Sequence, residues 1–334
     1  MADSATAVDT PVAVPKPESK SADAATRMVF VGLGALLLVA PFLLYPVFLM
    51  KVLCFALFAC AFNLLLGYGG LLSFGHAAYF GMASYVSAYT AKYWGVTPEI
   101  SILLGTITGA ALGLVFGALA IRRLGIYFSM ITLALAQMAY FFAVQTPHFT
   151  GGEDGIQAVP RGNLFGVLSL ADDRTLYYVV AVIFFAGLLL IYRIIHSPFG
   201  QVLKAIRDNE PRATSLGYRT NQYKLMVFVL STTLAGLAGA TKAIVFQLAS
   251  LTDVHWSMSG EVVLMVLLGG MGTIFGPVVG AFVIIALENY LASFGAWVTI
   301  IQGLIFVLCV LLFRRGIVGE IQALFGRKPA TGGH

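Results

Sequence analysis

A chain of 334 residues that is 59% hydrophobic and only 10% charged has no soluble core in which to place its apolar side chains, since soluble domains carry about 25% charged residues. The mean hydropathy of +0.90 and repeated apolar stretches of about 20 residues instead match the thickness of a bilayer. The net charge of +5 is spread over short segments beside apolar runs, which gives no sign of nucleic acid binding and fits the positive-inside pattern of membrane proteins.

Residues 1–26, rich in Ala, Pro, Ser and Asp, read as a disordered tail without hydrophobic periodicity. They lack the apolar stretch and cleavage site of a signal peptide. Lys16, Lys20 and Arg27 place this tail on the cytoplasmic side. A transmembrane domain follows over 27–315, and 316–334 read as a cytoplasmic C-terminal tail.

The first span is predicted from Met28 to Met50, kinked or ended early by Pro41 and Pro46, with Lys51 marking a tight turn or snorkelling to the interface. The second, Val52 to Leu66, ends in the break Gly67-Tyr68-Gly69-Gly70. The third, Phe74 to Tyr93, is rich in small residues and ends at Trp94, a residue suited to the membrane interface. The fourth runs from Ile100 to Ile121 and is closed by Arg122-Arg123, and the fifth from Leu124 to Val144. The polar segment Thr146 to Arg174, with Glu153, Asp154, Asp172 and Asp173 against two arginines, belongs outside. The sixth span, Thr175 to Ile195, leads into a basic loop over 196–223 that belongs in the cytoplasm. The seventh runs from Lys224 to Gln247, followed by an external loop with Asp253, His255 and Trp256. Gly260 to Phe313 holds two full spans or three short ones, broken at Gly269-Gly270 and closed by Arg314-Arg315. The fold class is therefore an all-α polytopic membrane protein with nine or ten transmembrane helices, ten being the even number that two cytoplasmic termini require.

Cys54, Cys60 and Cys309 lie in apolar stretches, without metal-ligand spacing, and read as small buried hydrophobes. No HExxH, DDxxD or GxSxG motif suggests an enzyme, and no GxxxxGK[ST] loop is present to cradle ATP. The chain is expected to bind no metal and no cofactor of its own. The two glycine breaks echo one another: Gly69-Gly70 precedes Phe74-Gly75 as Gly269-Gly270 precedes Phe275-Gly276, about 200 residues later. Internal repeats are common in transporters, but a chain with 36 glycines also produces such matches by chance.

The loop over 196–223 carries unusual capping. Ser197-Pro198 suits the start of a short helix running to Arg207, with Val202, Leu203 and Ile206 on one face. Asp208 or Asn209 caps a second short helix with Pro211 in its first turn and Gly217 at its end. An ordinary solvated basic loop would not need these caps.

The run Ala205-Ile206-Arg207-Asp208-Asn209-Glu210-Pro211-Arg212-Ala213, followed by Ser215-Leu216-Gly217, resembles the coupling loop of LivM-type permeases of branched-chain amino acid ABC transporters. Three further stretches resemble the same family, in the same order: Gly67 to Gly81, Gly125 to Met138 and Leu268 to Gly280. The general importer loop has Glu and Ala where this chain has Pro211 and Arg212. The resemblance implies ATPase coupling through Ala205, Arg207, Asp208, Asn209, Glu210, Arg212, Ala213 and Gly217. It implies a LivH-like second permease, two ATPase subunits that hydrolyse the ATP, an external binding protein, and a bacterial inner-membrane location.

Intramembrane polar groups default to functional candidates, which singles out Asn63, Ser73, Phe74, Gly75, His76, Thr132 and Gln137 for the translocation pathway. His76 is equally suited to a packing role between helices, and Ser73 and Thr132 to bonding their own backbone. Glu288 and Asn289 fit an interface better than a pore. A urea or short-chain amide permease of the same superfamily would share these motifs, and an ATP-independent channel or secondary transporter would not need the loop.

Overall fold

In the computed structural model the described residues are 20–291, except 124, 165 and 167, together with 300, 301, 303, 304, 307 and 316–324. Cys309, Arg314, Arg315 and the first 19 residues of the expected tail lie outside them. The chain divides into two units at Leu43. The first contains one helix, α1 (Lys20–Leu43), with Pro41 near its end. This helix begins inside the stretch expected to be a disordered tail.

The second unit opens with α2 (Pro46–Asn63). The helix break therefore falls at Leu44 and Tyr45 and not at Lys51, correcting the two spans expected on either side of that lysine. The reason is local. Pro46 has no N–H to lose at a helix start, and it drives Tyr45 to an extended ψ of 124°. Lys51 sits inside α2, where its ammonium bonds Glu288 at 2.8 Å. α2 is apolar all round and almost wholly buried, as such a helix must be. It ends in one π-helical turn, Leu64–Tyr68.

Next come α3 (His76–Tyr93), α4 (Pro98–Ala120) and α5 (Ile126–Gln145). A short turn, α6 (Pro147–Thr150), leads into strands of two small two-stranded sheets. β1 (Ile156–Gln157) pairs antiparallel with β4 (Leu248–Ala249), and β2 (Asn163–Leu164) with β3 (Leu168–Ser169). α7 (Asp173–His196) is followed by α8 (Pro198–Asp208), α9 (Glu210–Ser215) and α10 (Thr220–Phe246). α11 (Trp256–Gly269) and α12 (Gly276–Leu291) flank the second glycine break, and α13 (Gly316–Leu324) lies within the expected C-terminal tail.

Among the described residues, five helical segments are long and apolar enough to cross a membrane: Pro46–Tyr68, α4, α5, α7 and α10. Three shorter apolar helices accompany them: Met28–Leu43, α11 and α12. The rest of the expected count falls partly on residues outside those described. α10, like α2, is mostly buried, whereas α4, α5 and α7 turn apolar side chains such as Leu103, Tyr127, Met130, Phe141 and Val182 outward. That is the distribution of a bundle with lipid around it.

α4 and α10 approach one another closely. Gly105, Gly109, Gly113 and Gly117 recur every four residues and so line one face of α4. A Cβ at Gly109 would stand 2.8 Å from the Thr232 carbonyl oxygen and 2.9 Å from the Gly236 Cα, and one at Gly117 would stand 2.7 Å from the Phe228 ring. Small residues at this spacing let backbones meet where no hydrophobic effect drives them together.

Candidate functional site

The α8–α9 pair forms as its caps dictate. Ser197 Oγ accepts the Gly200 N–H at 3.3 Å, and Pro198 occupies the first turn of α8. Asn209 Oδ1 accepts the Arg212 N–H at 3.0 Å to start α9. Gly217, at φ +89°, turns the chain out of it. Leu203, Ile206 and Ala213 are buried, while Ala205, Asp208, Asn209, Arg212 and Gly217 face outward. Val202, expected on the apolar face, is half-buried. The pair is moored to the start of α10 by Glu210, whose carboxylate accepts from the buried Lys224 ammonium at 2.5 Å. The Phe199 and Tyr223 rings stack at 5.6 Å beside it.

Arg207 turns back toward the bundle. Its Nη1 donates to the Gly67 carbonyl, one of the last-turn acceptors that a helix end leaves without helical donors. Its Nε and Nη2 hold Asp208 Oδ1 at 3.3 and 3.2 Å. Gly70 lies under its aliphatic stem: a Cβ there would be 2.7 Å from Arg207 Cγ, on a backbone already at φ +67°. Lys204 sits 5.8 Å above the Tyr68 ring. Two residues of α8 thus rest on the first glycine break.

The first break rests in turn on the second. Asn63 Oδ1 accepts the Gly272 N–H at 2.9 Å, and its Nδ2 donates to the Thr273 carbonyl at 2.8 Å. A Cβ on Gly67 would stand 2.7 Å from the Gly272 nitrogen. Thr273 Oγ1 braces its own turn, donating to the Gly270 carbonyl at 2.7 Å and accepting the Gly276 N–H at 3.0 Å. The two glycine breaks are thus in direct contact, Asn63 and Gly67 of the first against Gly272 and Thr273 of the second.

The other candidates form two neighbouring groups. Phe74 N–H donates to Thr132 Oγ1 at 3.2 Å, Ser73 Oγ accepts the Gly75 N–H at 3.2 Å, and Ser129 Oγ donates to the Leu72 carbonyl at 2.7 Å. A Cβ on Gly75 would lie 2.6 Å from the Thr132 carbonyl oxygen. These contacts join the start of α3 to α5. His76 is fully buried, with Nε2 and Ser231 Oγ 2.9 Å apart, and Ser231 Oγ donates onward to the Ala61 carbonyl. The rings of Phe62, Tyr79 and Phe228 surround it at 4.9 to 6.0 Å. Gln137, half-buried on α5, joins neither group. Glu288 pairs with Lys51, and Asn289 is exposed.

Three features escaped the sequence reading. The glycine stripe of α4 was legible as a four-residue repeat. The buried pair Lys242–Asp253, at 2.6 Å, had only the signal of a lysine inside an apolar run. Ser231 had none, because hydroxyls within helices more often bond their own backbone, as Thr233 and Thr241 do here.

A bundle of apolar helices, interrupted by glycine breaks and carrying a capped helix pair at one end, is the scaffold of a multi-pass transport permease. Residues 46–310 match the family described as the permease component of the branched-chain amino acid transport system, and the chain belongs to that family. It is 25% identical over 278 residues to the high-affinity branched-chain amino acid transport permease LivM of Salmonella typhimurium, covering 77% of this chain and 65% of the relative. It is 24% identical to LivM of Escherichia coli over the same shares. The chain therefore spans just under two thirds of the length of these relatives. The ribose import permease RbsC of Bacillus subtilis is 27% identical over 49% of this chain and 51% of its own length. No solved structure matches the chain.

Proposed function

We propose that this protein is the permease subunit of an ABC importer for branched-chain or other hydrophobic amino acids, contributing half of the translocation pathway. The observation that carries this reading is the α8–α9 pair. It is rigidly capped, moored by Glu210 to Lys224, and presents Ala205, Asp208, Asn209 and Arg212 away from the bundle. Leu216 is 71% exposed at its tip, an apolar anchor with no mate in this chain's described core. Such a knob suits the cleft of a separate ATPase, whose closure on nucleotide would move it as a rigid body.

The remaining parts follow from the family. The chain pairs with a LivH-like permease and two ATPases that hydrolyse ATP on its behalf, and an external binding protein delivers the solute. The loop over 196–223 and both termini lie in the cytoplasm of a bacterial inner membrane, in line with the loop's basic residues. The relatives named for branched-chain amino acids favour a hydrophobic amino acid as solute, and few charges among the buried side chains suit it better than an ion. Affinity purification from the native membrane, followed by uptake in proteoliposomes, tests the reading. Co-elution of two ATPases and a second permease, with ATP-dependent leucine uptake, is expected. The chain alone moving solute without ATP would replace it with a channel or secondary transporter, and uptake of urea or ribose in preference to leucine would change the substrate.

A further inference from the structure

We propose that Arg207 is a positioning residue that carries movement of the α8–α9 pair into both glycine breaks at once, with Asn63 as the second link of the relay. The inference rests on the importer reading above and gives Arg207 a different task from the one the family resemblance implies. In that resemblance Arg207 belongs with the residues facing the ATPase. Here its guanidinium points the other way, onto the Gly67 carbonyl of the π-helical turn that ends α2.

Three details make this contact a link and not incidental packing. First, the fork is shared: two of its nitrogens bond the exposed Asp208 carboxylate while the third reaches Gly67, which ties the end of α8 to the break. Arginine supplies that planar multi-donor geometry and lysine does not. Second, the stem lies flush on Gly70, where any side chain would collide with it. Third, the turn receiving the contact is gripped from its other side by Asn63, one helical turn before Gly67, through two hydrogen bonds to Gly272 and Thr273. Gly67 itself approaches Gly272 so closely that a Cβ would not fit between them. A shift of Arg207 therefore displaces Gly67, and Gly67 cannot shift without Gly272. π-turns and glycine breaks are the places where helices yield. The hinge between α2 and α3 and the hinge between α11 and α12 then swing as a unit when the α8–α9 pair is pushed.

The test uses the whole complex, with its ATPases and second permease, in proteoliposomes. Arg207→Met should leave the amount of co-purified ATPase unchanged. The amount of solute moved per ATP should fall roughly tenfold, the loss expected for one charge-assisted hydrogen bond. Arg207→Lys should recover part of that ratio, and Gly70→Ala should reproduce the loss with Arg207 intact. Arg212→Ala, on the outward face, should instead reduce the ATPase recovered. Loss of ATPase from the Arg207→Met complex would make Arg207 a docking residue and overturn the relay. Unchanged solute per ATP in Arg207→Met and Arg207→Lys would overturn it too. If Arg207→Met fails to accumulate, the Arg207→Lys and Gly70→Ala ratios decide in the same way. A wild-type complex that contains no ATPase would sink the importer reading itself, an outcome distinct from either.

Discussion

Breaking the Lys242–Asp253 pair should be among the most damaging changes outside the two glycine breaks. The Lys242 ammonium lies 2.6 Å from Asp253 Oδ2, and the two side chains retain 10% and 4% of their accessible surface. The pair lies near the far end of α10, a 27-residue helix about 40 Å long that starts beside the α8–α9 pair. There it pins the segment between β4 and α11 against the bundle. Removing one partner of a buried pair leaves an uncompensated charge and costs about 3–5 kcal/mol. Lys242→Met should therefore lower the melting temperature of the purified protein in detergent by on the order of 10 °C. Asp253→Ala should cost about 1 kcal/mol more, because Asp253 Oδ2 also accepts the Ser250 N–H at 3.3 Å in a capping box. The double variant Lys242→Met with Asp253→Asn removes both charges and keeps an acceptor for Ser250. It should melt within a few degrees of the parent, so the two substitutions are strongly non-additive. Thermal unfolding followed by intrinsic fluorescence reads all three. Single variants that melt with the parent, or a double variant that shows the sum of their losses, would refute the idea of a desolvated pair.

Gly109→Ala should destabilise by about 1–3 kcal/mol through overpacking, since its Cβ would press on the Thr232 carbonyl and Gly236. Gly260→Ala, where nothing lies within 4 Å, should gain up to about 1 kcal/mol of helix propensity in the same melting assay. An equal response at both sites would remove the case for a tight α4–α10 seam. His76→Ala should cost about 2–5 kcal/mol by leaving a cavity among Phe62, Tyr79 and Phe228, with the KM for solute unchanged. A raised KM at unchanged stability would instead put His76 in the pathway. Leu216→Glu should sharply reduce co-purified ATPase without altering the melting temperature, because Leu216 is largely exposed. Full ATPase recovery would show that this tip is not the anchor.

Helix existence and the α8–α9 caps were legible because their causes are local. Ser197, Pro198, Asn209, Pro211 and Gly217 each act within four residues, and the structure uses them as the spacing predicts. Helix boundaries around Lys51 were misread because a lysine in an apolar run looks like an interface marker. Its partner, Glu288, stands 237 residues away and is invisible to any local pattern. The same limit hid the contact of Arg207 with the Gly67 carbonyl. Whether a charged residue at a helix end faces a partner protein or its own chain depends on where Gly67 arrives, and residue 67 is 140 positions upstream. Asn63 stands out in the sequence as a polar residue in an apolar span, and in the structure it bonds Gly272 and Thr273, a clamp between backbones that no local pattern shows.

The contact between the two breaks also bears on the symmetry of the fold. An inverted repeat, related by an axis in the membrane plane, exchanges the two faces of the bilayer. A break at the end of a 23-residue segment, about 34 Å along it, would then have its counterpart near the opposite face. Here the C-terminal end of α2 meets the C-terminal end of α11, and Asn63 bonds Gly272 and Thr273 directly. The two helices enter their breaks at the same end. The local geometry corresponds as well. Gly70 and Gly270, second in each glycine pair, both have positive φ, at +67° and +118°. Gly75 caps the helix after the first break, and Gly276 begins the helix after the second. Helix, break and helix therefore recur in the same order, α2 and α3 corresponding to α11 and α12. That relation gives the echo a physical reason. Two hinges of the same build, set back to back, can be worked by one arginine only because they lie at the same end of the bundle.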